Sequence, residues 1–173
     1  KQLLGQGMEE LSIDSVSGLK LLCPEEGAHA LLLSYLQQGW QRDLGVYIHL
    51  RVLPQMEYRE ALRTGDFDLA LTSQTVEYDA PESLLLKYGS DSNYNVARYQ
   101  SDAYDQLLLG IQQAVTDQEK ADAAKAAEQH LLADACLFPL YMEEEYFVTA
   151  EPVSGILFHP IRAVADFKRA MVR

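Results

Sequence analysis

"GVYIHLRVLPQMEYREALRTGDFDLALT", Gly45 to Thr72, decides the fold. Val46, Ile48, Leu50 and Val52 alternate along one face, the period of a β-strand, and Pro54, which has no N–H to give a ladder, ends it. A short helix from about Gln55 to Arg63 closes at Gly65, and "FDLALT" reads as the next strand. Upstream, "GLKLLCP" (Gly18 to Pro24) is an apolar run bounded by Gly and Pro, the pattern of a buried strand. Between them, from Ala28 to Leu44, Leu31, Leu32, Tyr35, Leu36 and Trp40 recur at three and four, one face of an amphipathic helix that Gly45 stops. Strand, helix, strand, helix, strand with short joints predicts crossover units, hence an α/β fold whose mixed, mostly parallel sheet is flanked by helices.

After Pro81 the pattern turns helical: "PESLLLKYG", "SDAYDQLLLGIQQAV" and "TDQEKADAAKAAEQHLLADA". Ser101 and Thr116 precede acids in a first turn, where a hydroxyl caps free N–H groups and negative charge meets the helix dipole. "GSDSNYNVARYQ" between them is a polar loop. "LFPLYM" and "EYFVTA" read as two strands, "VSGILFHP" as a strand or extended segment, and "ADFKRAMV" as a terminal helix. With no repeat or low-complexity stretch, residues 1–173 read as one lobe without an internal boundary. "KQLLGQGMEEL" reads as the end of a helix, so the chain is expected to be a piece of something longer.

The 173 residues carry a formal net charge of -12, which disfavours nucleic acid and anionic membranes because phosphate binding runs on clustered Lys and Arg. A cationic or zwitterionic solute stays compatible. No apolar run has the length of a membrane span, and no signal peptide is visible. Cys23 and Cys136 sit in apolar contexts and read as buried core thiols, with a disulfide as the alternative.

Templates for catalysis come out empty. His29, His49, His130 and His159 are scattered, no phosphate loop or nucleophile elbow is present, and neither metal nor other cofactor is expected. Glu143, Glu144 and Glu145 read as solvated acids at a hairpin tip, with a cation site as the alternative. The tyrosines, Tyr141 among them, suit either half-buried packing or the wall of a cleft.

In order, "LSYLQQGWQRDLGVYIHLRVL", "YREALRTGDFDLALTS", "YDAPESLLLKYGSDSNYNVARYQSDAYDQLL", "AAEQHLLADACLFPLY" and "VSGILFHP" resemble the C-terminal lobe of the oligopeptide, dipeptide and nickel family of solute-binding proteins that serve ABC transporters. The resemblance implies a periplasmic-binding-protein-like (type II) lobe, not an enzyme, that holds a peptide or other small solute against an N-terminal lobe missing here. It also implies delivery to permease subunits and an extracellular or periplasmic place, membrane-anchored through a lipid. Carried onto this chain, the residues leaving the third strand, Ser73, Gln74 and Thr75, would offer main-chain groups to the ligand. Glu77 would pair with a peptide ammonium or be a solvated acid, and Tyr78 and Tyr141 would line the site. Two departures stand out: Glu77 occupies a column where Asp is common, and Gln74 a column where Trp is common. Asp79 is expected to cap the helix that Pro81 begins. Alternatives from other classes are the solute sensor of a cytoplasmic transcription regulator, which shares the lobe pair, and a carboxylate hydrolase.

Overall fold

In the computed structural model, residues 1–27, 29–76, 78–142, 146–159 and 164–172 are described. They pack as two compact units, Lys1–Ser73 and Gln74–Arg173.

The first unit contains α1 (Gln2–Leu11), β1 (Ser17–Pro24), α2 (His29–Leu44), β2 (Tyr47–Leu53), α3 (Gln55–Thr64) and β3 (Leu69–Ala70). The three strands form a parallel sheet in the order β2-β1-β3, with Leu21 beside both Leu50 and Leu69. In the middle strand Leu21, Leu22 and Cys23 are all buried, which an alternating strand shows only when both faces are covered. Leu21 and Cys23 join Leu33 of α2 with Val46 and Ile48, while Leu22 packs with Tyr58 and Ala61 of α3. The two helices therefore cover opposite faces of β1. Gly45 and Gly65 follow their helices with φ of 76° and 75°, the left-handed value that glycine adopts without a Cβ penalty.

The sheet departs from the alternation in one place. Val46 and Ile48 are buried, but Val52, expected on the same face, is 40% exposed. Its rung lies opposite Cys23, and although Cys23 packs with Leu33 of α2, Val52 is outside that cluster.

The second unit is built on α4 (Glu82–Leu85), the 3-10 turn Leu86–Tyr88, α5 (Asp102–Gln113) and α6 (Asp117–Ala133). Leu85, Tyr88, Tyr104, Leu108, Ile111, Ala124, Ala127 and Leu131 form its core. Fully buried Tyr104 donates its hydroxyl to the Leu85 carbonyl at 2.9 Å, so its polar tip is satisfied. Ser101 caps α5 by accepting from Tyr104 N, and Thr116 forms a capping box with Glu119 on α6, as their spacing predicts. In the polar loop before α5, Asn95 donates to the Gly89 and Tyr99 carbonyls at 3.2 and 2.8 Å and accepts from Tyr99 N at 3.0 Å, and Asp105 accepts from Ser90 N at 3.0 Å.

The last part corrects the sequence reading. "LFPLYM" and the described part of "EYFVTA" pair with no strand and have no regular structure. A strand exists only through a neighbour, and alternation alone does not supply one. "ADFKRAMV" is not a helix: it supplies β6 (Val164–Asp166), which pairs antiparallel with β5 (Leu157–His159), and β7 (Met171–Val172), which pairs with β4 (Val153–Ser154). The Asp166 side chain accepts from Lys168 N at 2.8 Å, and Ala170 N donates to the Phe167 carbonyl at 2.9 Å, a turn that competes with the helix. Gly155, at φ 78°, faces that turn: a Cβ there would stand 2.0 Å from the Arg169 carbonyl oxygen.

Candidate functional site

The candidate residues leave the C-terminal end of β3, the end of a parallel strand where ligands gather in open α/β sheets. The last bond between β3 and β1 joins Leu71 N to the Leu22 carbonyl at 2.9 Å. Tyr58, on the inner face of α3, then donates its hydroxyl to the Leu71 carbonyl at 2.6 Å. Burial pushes this phenol up to about 12, so it stays a donor through the physiological range. The strand thus ends under a buried tyrosine.

Beyond it, residues 71–76 adopt no regular structure, and Ser73, Gln74 and Thr75 are exposed. Their N–H groups, and the carbonyls of Ser73 and Gln74, have no main-chain or side-chain partner among the described residues. The Thr75 carbonyl accepts from Lys87 Nζ at 2.7 Å. Ser73 closes the first unit and Gln74 opens the second. Glu77, the expected ammonium partner, lies outside the described residues. Tyr78 is 47% exposed, and Tyr141, in the irregular segment after α6, is 53% exposed.

Asp79 does not cap α4. The N-cap position belongs to Pro81, without a side-chain hydrogen bond, because the N–H groups of Ser83 and Leu84 are taken by the carbonyls of Ala80 and Pro81. The acid of this turn that finds a charged partner is Glu82. Its buried carboxylate pairs through Oε1 with Lys120 of α6, while Oε2 is buried with no hydrogen-bond partner. Burial pushes this carboxyl up, but the Lys120 ammonium and a backbone N–H outweigh that and hold it below the usual range. Lys120 is raised in return, first by Glu82, with Tyr78 and Asp117 adding to it. Tyr58 was visible in sequence only as an aromatic on a short helix. Lys87 and Lys120 carried no sequence signal, because their roles depend on groups distant along the chain.

Among the described residues, one other polar cluster brings a histidine, a serine and an acid together. His130 Nε2 lies 3.2 Å from Ser101 Oγ and 3.5 Å from Asp134 Oδ2. A serine relay needs the acid on the other ring nitrogen, and Ser101 is already occupied as a helix cap. Among the described residues no group of three or more His, Cys, Asp or Glu could hold a metal ion, and no helix is long and apolar enough to cross a membrane. Glu143, Glu144 and Glu145 lie outside the described residues. Cys23 and Cys136 are free thiols, and burial pushes both above the ordinary value, so neither is an activated nucleophile.

Comparison with known proteins gives this geometry a context. No family model matches the chain. The periplasmic oligopeptide-binding protein OppA of Salmonella typhimurium is 29% identical over 133 residues, 77% of this chain and 24% of that protein. The probable deoxycholate-binding periplasmic protein YgiS of Escherichia coli is 32% identical over 125 residues, 72% of this chain and 23% of that one. The chain is a homologue of part of these binding proteins. The substrate-binding domain of an oligopeptide ABC transporter from Bacillus anthracis matches 97% of the chain and 33% of its own length with a TM-score of 0.82. At 22% identity that likeness speaks for the fold, a periplasmic binding-protein fold of the type II kind. The chain thus spans about a quarter to a third of these relatives. They are binding proteins by name, and none lends support to a regulator or a hydrolase.

Proposed function

We propose that the chain is the C-terminal ligand-binding lobe of an ABC-transporter solute-binding protein. The whole protein captures a peptide or similar small solute between this lobe and an N-terminal lobe, and delivers it to permease subunits. The observation that carries this reading is the likeness to periplasmic peptide-binding proteins, each matched over a fraction of its length that suits one lobe. The open N–H groups of Ser73, Gln74 and Thr75 and the open carbonyls of Ser73 and Gln74 support it, since exposed backbone groups at a strand end can be extended by a ligand backbone. Tyr78 and Tyr141 offer half-exposed rings as walls, and Glu77 is the carboxylate for a ligand ammonium. In this reading the protein works outside the cytoplasmic membrane, lipid-anchored, as a receptor without cofactor or catalytic step. Gln74 leaves this rim without the broad apolar wall that the resemblance leads one to expect.

Calorimetric titration of the full-length protein with tri-alanine tests it. Binding is expected, and Glu77→Ala should weaken it by tenfold or more, because a charge-assisted hydrogen bond contributes about 1.5–3 kcal/mol. An affinity unchanged within twofold removes the ammonium-pairing role. The isolated chain should bind tri-alanine only weakly, since a hinged trap buries its ligand from both sides. Micromolar or tighter binding by this chain alone contradicts the two-lobed reading.

A further inference from the structure

We propose that Lys87 and Lys120 are positioning residues that hold the candidate ligand rim in shape from its two ends. Naming that stretch a ligand rim rests on the proposed function; the holding itself rests on the contacts. Ser73 to Thr75 cannot be ordered by their own backbone, because among the described residues their N–H groups are unpaired. What fixes this stretch must come from side chains. At one end Lys87 Nζ donates to the Thr75 carbonyl at 2.7 Å. Lys87 stands in the 3-10 turn between buried Leu85 and buried Tyr88, so its backbone is anchored in the core of the second unit.

At the other end Lys120, on α6, pairs with Glu82, the first residue of α4. The Glu82 side chain is only 11% exposed and its second oxygen has no partner, so the ammonium of Lys120 is what makes the buried carboxylate tolerable. Without it, Glu82 must move toward water, and the turn of Tyr78 to Pro81 moves with it. Thr75 and Glu82 thus flank the turn, and each is held by a lysine from a different element. Pre-ordering matters for binding, since a ligand that finds its main-chain partners already fixed does not lose affinity to ordering them.

Backbone 15N order parameters of the labelled chain test this directly. In wild type the amides of Ser73 to Val76 should be close to the rigid value of about 0.85, and in Lys87→Met they should fall below about 0.6 while those of α5 and α6 stay put. Lys87→Arg should retain much of the order, because a cationic donor is kept, and the exposed control Lys125→Met should change nothing. Unchanged order in Lys87→Met overturns the role of Lys87. For the other end, order at Tyr78 to Ala80 should fall in Lys120→Met while the amides of α5 stay put, and should return in the double variant Lys120→Met with Glu82→Gln, which removes the buried charge; order kept in Lys120→Met overturns the role of Lys120. In the full-length protein, Lys87→Met should weaken tri-alanine by about tenfold. If wild type does not bind tri-alanine at all, the peptide reading fails, and the order parameters still decide the positioning role.

Discussion

The middle strand β1 and the final ladders β4-β7 and β5-β6 are both rich in apolar residues, yet they behave differently. Leu22 in β1 is fully buried between neighbours on both edges and a helix face. Val148, Val172 and Leu157 near the chain's end are 95%, 78% and 57% exposed, and each ladder there has only two strands of two or three residues. Apolar composition is thus not what makes a strand stable. Coverage of both faces and both edges does, and a two-stranded ladder alone is marginal in water.

That contrast can be broken at its strong end first. Leu22→Ala should cost about 2–5 kcal/mol, read as a lower denaturant midpoint, because the cavity opens where no solvent can relax it. A loss below about 1 kcal/mol would mean that the sheet is not the stability core. At the weak end, Gly155→Ala places a Cβ against the Arg169 carbonyl at a backbone angle that alanine resists. Amides from Ala150 to Val172 should then exchange at nearly free rates while the midpoint of global unfolding hardly moves, since the ladder opens locally. A large shift in the global midpoint would join the two regions into one cooperative block.

The smallest effect concerns the polar edge of the sheet. Asp66 pairs with Arg51 and, at 3.0 Å, with Lys20, and these hydrogen bonds, Arg51 first, hold its carboxyl below the ordinary value. A carboxyl whose folded value is depressed adds stability above the unfolded value of about 3.9 and loses it as pH falls through the lower folded one. Asp66→Asn should therefore lower stability above about pH 4 slightly and flatten the acid limb by the same small amount, because the pair is exposed. An unchanged acid limb would assign the pH dependence elsewhere.

Legibility in the sequence followed the same divide. The helices with caps or glycine stops, α2, α3, α5 and α6, could be read within a residue or two, because their signals are local. The exit of β3 was readable as a polar turn after a strand, and the resemblance placed Ser73, Gln74 and Thr75 there. Asp79 was misread as a cap because local chemistry permitted it, while the carbonyls of Ala80 and Pro81 had already met the N–H groups. The segment "ADFKRAMV" has helical composition, and only pairing with β5 and β4 made strands of its ends.

By itself, then, the sequence determined the type of each long element, the places where helices start and stop, and the order of motifs that marks the homology. These follow from steric preferences and hydrogen bonds within a few residues. It did not determine the face that α2 buries, since Leu31 and Tyr35 are 61% and 65% exposed and Leu33 is buried. Tertiary structure alone decided the strand order β2-β1-β3, the pairing of the last short strands, and the attachment of Lys87 to Thr75 and of Lys120 to Glu82. A partner distant along the chain leaves no local trace, because its contribution exists only once the loop between the two has closed.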